Sequence, residues 1–198
     1  MNIIRRIIKE RFFVDPKDGK QKSRYGHRGN NKIAWIIVHY TGDKSSQGRA
    51  KKTADAMQTW KRTVSTNYLV GDDAIYQCVE DRNAAWHCPY EKTNKCAACN
   101  GVAIGVDLVE HKRSTKTGSV KDRDWYFTEK VINDGAQLVA MLADKYNIPM
   151  DHIVRHFDVT GKWCPRPFIG DDINEVTGKT GNHAWRSFLA QVKSLRQN

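Results

Sequence analysis

The sequence predicts an α/β fold: a single domain with a central mixed β-sheet flanked by helices. Three observations lead there. Two segments, Trp35-Ile36-Ile37-Val38-His39-Tyr40 and Val102-Ala103-Ile104-Gly105-Val106-Asp107-Leu108-Val109, are apolar runs without polar alternation, as strands covered on both faces require. Other stretches space their apolar residues for helices, above all Thr128 to Tyr146. Strand and helix patterns also follow one another along the chain, the order of a layered α/β domain. No internal repeat, low-complexity tract or interdomain linker interrupts them.

Residues 1–31 are basic and read as an N-terminal extension packed on the surface of a domain spanning 32–198, with one short strand or helix around Ile3–Phe13. The run at 35–40 is the first central strand, ended by Thr41-Gly42-Asp43. Thr53 to Lys61 carries Ala54, Met57, Trp60 and, beyond it, Val64 at helical spacing, so it reads as an amphipathic helix. A hairpin follows, Thr66–Val70 and Ala74–Val79 around Gly71-Asp72-Asp73. Asn83 to Pro89 is irregular, and the run at 102–109 is the second central strand. His111 to Arg123 reads as a charged, solvated loop.

The helix from Thr128 to Tyr146 has Val131, Leu138, Val139, Leu142 and Tyr146 as its apolar stripe. Thr128 is its N-cap, and Pro149 lies beyond its end. Asp151 to Arg155 is a short strand, Gly170 to Gly181 a polar loop, and a closing helix from Asn182 or His183 to Leu195 turns Trp185, Phe188, Leu189 and Val192 inward.

The 39% hydrophobic content, with six Trp, seven Tyr and six Phe, is enough for a core and excludes a disordered chain. A charge of +11 favours a polyanionic partner, nucleic acid or an anionic cell envelope, and does not choose between them. No apolar run reaches the ~18–20 residues that span a membrane, so no membrane insertion is expected. The charged start, Met1 to Arg11, lacks a signal-peptide apolar segment, which points to synthesis in the cytoplasm.

The densest chemistry lies between Arg155 and Phe168. His156, Lys162 and Cys164 bring an imidazole, an ammonium and a thiol together on a segment that Gly161, Pro165 and Pro167 are expected to keep from being helical. Imidazole and thiolate suit zinc, and a catalytic zinc takes three protein ligands. His39, at the carboxyl end of its strand, reads by itself as a hydrogen-bonded structural residue. Asp107, inside an apolar strand, is either a catalytic carboxylate or a buried salt-bridge partner. His87 is a further imidazole on an irregular segment. Cys78, Cys88, Cys96 and Cys99 read as free thiols, with a structural zinc site as the alternative.

Five stretches in order carry a resemblance: Ile37-Val38-His39-Tyr40-Thr41, Ser65-Thr66-Asn67-Tyr68-Leu69-Val70, Ala85-Trp86-His87, Ile104-Gly105-Val106-Asp107-Leu108, and His156 through Gly161-Lys162-Trp163-Cys164-Pro165. In these the chain resembles the zinc-dependent N-acetylmuramoyl-L-alanine amidases of the amidase-2 and peptidoglycan-recognition-protein superfamily, especially phage endolysin catalytic domains. The resemblance implies one catalytic Zn2+ held by His39, His156 and Cys164, with Lys162 stabilising an oxyanion. It also implies a groove for a peptidoglycan glycan strand and its stem peptide, lined by His87, Thr41 and Asn67.

The base of many relatives is a Glu on the strand where this chain has Asp107, so the resemblance assigns that role to Asp107. In others it is a hairpin Tyr. Thr66 stands at that position here, with Tyr68 two residues on and expected on the same strand face. The implied activity is hydrolysis of the amide between N-acetylmuramic acid and L-alanine, at the cell wall after holin-type release, with anionic wall polymers accounting for the charge. Two other readings stand beside it. A non-catalytic peptidoglycan-binding module typically lacks the cysteine ligand that Cys164 supplies here. A basic nucleic-acid binder with a structural zinc site lacks a helix-turn-helix, finger or aromatic sheet motif, so no nucleic-acid partner is expected.

Overall fold

A computed structural model describes residues 2–196. Its strands are β1 (Ile3–Arg5), β2 (Phe12–Val14), β3 (Gln21–Ser23), β4 (Tyr25–His27), β5 (Trp35–Tyr40), β6 (Tyr68–Val70), β7 (Ile75–Gln77), β8 (Asn83–Ala85), β9 (Ala103–Leu108), β10 (His111–Lys112), β11 (Trp125–Tyr126) and β12 (Ile153–Arg155). Its α-helices are α1 (Ala50–Thr59), α2 (Glu129–Lys145), α3 (His156–Thr160) and α4 (Gly181–Leu195).

Six strands form the central sheet in the order β1-β7-β6-β9-β5-β12. β6, β9, β5 and β12 run parallel, and β7 turns back on β6 as a hairpin, with β1 parallel to β7. This is the mixed sheet expected, flanked by helices. The strict two-residue period of a strand then divides its faces. Ile36, Val38, Tyr68, Val70, Ile104, Val106 and Leu108 pack with Val131, Leu138 and Leu142 of α2 and Trp185, Phe188 and Val192 of α4 in the main core. Leu69 packs on the other side with Ala50, Ala54 and Met57 of α1. The face shared by Ile37, His39, Gly105 and Asp107 looks the same way, and the site lies there.

α2 begins as expected, with the Thr128 hydroxyl accepting from Val131 N. α1 differs, starting at Ala50, because Asp73 in the β6–β7 turn accepts from Ala50 N and Lys51 N and caps the helix from outside. Trp60 becomes its C-cap, and Val64 lies beyond it, exposed.

Around Ile3–Phe13 the chain forms two strands rather than one element. β1 is the edge of the central sheet, β2 pairs with β3, and Ile8 is buried against the α1 cluster. β4 pairs with β8, which gives the supposedly irregular 83–89 segment a strand. The segment after His111 is not wholly solvated either. β10 pairs with β11, and buried Lys112 is held by Asp124 and by Asp122 at 3.1 Å. The segment after Arg155 is helical where a non-helical path was expected: α3 fits between a capping box at Arg155 and Asp158 and the left-handed Gly161, before either proline.

Candidate metal centre and groove

His39 is the fifth residue of β5 and stands beside Asp107 of β9 in the parallel ladder, so both side chains leave the sheet on one face. His156 enters from the first position of α3. Cys164 follows after Gly161 turns the chain back, with Phe157 N bonded to Cys164 O at 2.9 Å. One ligand atom from each of His39, His156 and Cys164 lies within 4.8 Å of the others, and all three residues are buried. His39 Nδ1 is 3.6 Å from Cys164 Sγ, and the His39 and His156 rings meet at 4.7 Å between centroids. Among the described residues this is the one cluster of metal-type donors, and Cys78, Cys88, Cys96 and Cys99 remain free thiols outside it.

The donors suit a soft divalent cation. Burial, then the neighbouring His87, His156 and Lys162, drives His39 well below the ordinary imidazole value, and burial with Lys162 brings His156 to about 4. Both are therefore neutral near neutrality, the form in which an imidazole can ligate a metal. Burial pushes the Cys164 thiol up to about 12, so a thiolate there requires a cation beside it. His156 Nδ1 is buried without a hydrogen-bond partner. These groups fit zinc by residue type and number.

The cluster forms the floor of a cavity of about 680 Å³, walled by Thr41–Asp43, by Lys52, Ala56 and Trp60, and by Lys162. A second cavity of about 810 Å³ meets it at Val64, His87, His156 and Lys162 and runs over Trp86, Thr63 and Glu91. Buried side-chain atoms without a partner include Trp60 Nε1, Asp107 Oδ1 and His156 Nδ1, all on residues that line the first cavity. Such atoms are costly unless a water, an ion or a ligand satisfies them, so they single out this cavity as the candidate site.

Asp107 lines the same cavity. Burial raises its carboxyl to about 7, opposed by Thr66 and by the charge of Lys162. Lys162 is exposed at the rim, where its charge reaches both imidazoles, Asp107 and Cys164. His87 sits with Nδ1 3.0 Å from His39 Nε2. Thr41 also lines the cavity, with its backbone N–H donating to Glu110 Oε2 at 3.0 Å and its hydroxyl to Glu110 Oε1 at 2.9 Å.

Asn67 does not reach the groove, and its expected place there is corrected. It is fully buried, with Oδ1 accepting from Gly105 N at 3.0 Å and Nδ2 donating to Val79 O at 3.3 Å. Tyr68 is corrected as well. β6 begins only at Tyr68, so the alternation does not extend back to Thr66, and Tyr68 lies on the main-core face with its hydroxyl on Asp81 at 2.7 Å. Glu110 carries no motif in the sequence; its only trace there is an acid directly following the apolar run at 102–109.

A mixed sheet whose parallel centre brings two neutral imidazoles and a thiol together beside the end of β5 defines an α/β protein with a candidate His-His-Cys metal centre. The chain belongs to the N-acetylmuramoyl-L-alanine amidase family Amidase_2, whose profile matches residues 29–167. It is 32% identical over 152 residues to a probable N-acetylmuramoyl-L-alanine amidase of Bacillus licheniformis, covering 70% of this chain and 38% of that protein. The chain thus spans well under half of that relative's length. Its fold is that of the XlyA catalytic domain, with a TM-score of 0.65 at 21% identity over 97% of this chain and 99% of the other. A mutant endolysin from Bacillus subtilis shares it at a TM-score of 0.63 and 21% identity, over 96% and 98% of the two chains.

Proposed function

We propose that the chain is a zinc-dependent N-acetylmuramoyl-L-alanine amidase that cleaves the amide between N-acetylmuramic acid and L-alanine in peptidoglycan. The observation that carries this reading is the convergence of His39, His156 and Cys164 in the floor of a groove that also holds Asp107 and Lys162. Zinc, when bound by these three residues, supplies a Lewis acid that acidifies water and polarises the scissile carbonyl.

The chain's own residues do the rest. Asp107, facing the same side as His39, takes the proton from the attacking water and passes it to the leaving L-alanine nitrogen. Lys162 donates to the oxygen on which negative charge develops. Thr41, anchored on Glu110, lines the wall beside His39, and His87 lies where the two cavities join. Two cavities meeting over the ligands suit a branched substrate, a glycan strand in one arm and a stem peptide in the other. The charge of +11 suits anionic wall polymers. The place of action proposed is the cell wall, reached by holin-type release; no helix among the described residues is long and apolar enough to cross a membrane.

Digestion of purified cell walls tests the reading. New L-alanine amino termini without new reducing sugar ends are expected, from protein carrying one zinc. New reducing ends in their place would mark a glycosidase and remove the amidase reading.

A further inference from the structure

We propose that His87 is a positioning residue for the metal centre, holding His39 in the tautomer that leaves its Nδ1 lone pair facing Cys164. This rests on the zinc reading above. His39 presents its two ring nitrogens to two different neighbours: Nδ1 lies 3.6 Å from Cys164 Sγ, and Nε2 lies 3.0 Å from His87 Nδ1. A neutral imidazole has one donor and one acceptor nitrogen, so a ring that ligates through Nδ1 carries its proton on Nε2. That buried proton needs an acceptor, and the His87 Nδ1 lone pair is at hydrogen-bonding distance. His87 then carries its own proton on Nε2, a buried atom, with the Ala103 backbone beside the ring as a hydrogen-bond partner.

Ligating histidines almost always rest their second nitrogen on a carboxylate, a carbonyl or water. Here a second imidazole takes that place. The His87 ring is itself held by a missing side chain. A Cβ on Gly105 would lie 2.8 Å from both Cγ and Cδ2 of His87, closer than real contacts allow. Gly105 is fixed in turn from both sides, its N–H donating to Asn67 Oδ1 at 3.0 Å and its carbonyl accepting from Thr66 Oγ1 at 2.9 Å. Asn67 thus bears on the metal centre through Gly105 and His87, without touching the groove.

The test compares zinc affinity, by competition with a chromophoric chelator, for the wild type, His87→Asn, His87→Leu and Gly105→Ala. Asparagine sets an amide oxygen near the place of Nδ1, whereas leucine fills the volume and offers no acceptor. Leucine at 87 and alanine at 105 are expected to weaken zinc binding by about 10- to 100-fold, with asparagine close to the wild type. Nitrogen-15 NMR of the zinc-loaded wild type is expected to place the His39 proton on Nε2. Thermal unfolding identifies a variant that has not folded, and His87→Asn and the tautomer measurement carry the test in that event. Zinc binding of the leucine variant equal to wild type, asparagine as weak as leucine, or the His39 proton on Nδ1 would each overturn the inference while leaving the metal site standing. A wild type that takes no zinc overturns the metal reading itself, and this inference with it.

Discussion

Asp107 stands directly beside His39 in the β5–β9 ladder, on the face that carries the groove. A carboxylate one methylene shorter than glutamate is therefore already level with His39 in the sheet, and its Oδ1 is buried without a partner. Asp107→Asn keeps the shape and removes the basicity. It is expected to retain zinc and lose about 10²–10⁴ in turnover, the usual worth of a positioned general base. Turnover on purified peptidoglycan with zinc content measured in parallel checks this, and full activity in the variant takes Asp107 out of the mechanism.

Removal of the ligands and removal of the rim charge separate two roles. Cys164→Ser, or dialysis against a strong chelator, is expected to abolish both zinc and activity, with zinc restoring the dialysed wild type. Lys162, proposed as the oxyanion partner, stands exposed at the rim and is not one of the three clustered donors. Lys162→Ala should keep its zinc and turn over about 10²–10³ times more slowly, as when one oxyanion donor is lost. Loss of zinc in Lys162→Ala would show the lysine to be structural.

Glu110 is wholly buried and bears Thr41 on both carboxylate oxygens, and burial raises its carboxyl from 4.5 to about 7. The folded state therefore holds a proton that the unfolded chain releases near pH 4.5. Between about pH 4.5 and 7 the folded protein binds more protons, so stability falls as pH rises through that window and levels off above it. The fall attributable to this group is on the order of 3 kcal/mol at most. Glu110→Gln has no charged form to bury, so its melting temperature should decline less than that of the wild type between pH 5 and 8. Parallel declines in the two proteins would remove Glu110 as the cause.

What could be read from the chain was what local chemistry determines. The unalternating runs at 35–40 and 102–109 mark central strands because both their faces are covered, and Thr128 marks the start of α2 because its hydroxyl caps three residues on. His39, His156 and Cys164 stood out by residue type, and the resemblance joined them across more than a hundred residues. What escaped was set by partners distant in sequence. Asp73 starts α1 from 23 residues away, Asp124 and Asp122 bury Lys112 in what looked like a solvated loop, and Asn67 is spent on the backbone of Gly105 and Val79. Glu110 gave no sign that it would end up under Thr41.

Arg28 shows how far residues 1–31 belong to the same folding unit as the groove. Its guanidinium is buried and donates to three carbonyls, Asp81 O at 2.7 Å, Asn100 O at 2.9 Å and Ala103 O at 2.6 Å. One of them opens β9, the strand that carries Gly105 and Asp107. Burial lowers its pKa to about 10, so it remains charged and its hydrogen bonds are of the stronger, charge-assisted kind. Arg28→Ala leaves three carbonyls to be satisfied by whatever water can enter. A loss of about 3 kcal/mol is expected, from unsatisfied buried groups and lost hydrogen bonds together. For a chain of this size that lowers the melting temperature by roughly 6–12 °C. Deletion of residues 1–31 should destabilise at least as much, because it also removes β1 and the buried Ile8. Calorimetry on the two variants decides the matter: a truncated protein that melts with the wild type would make these residues an appendage rather than part of the domain.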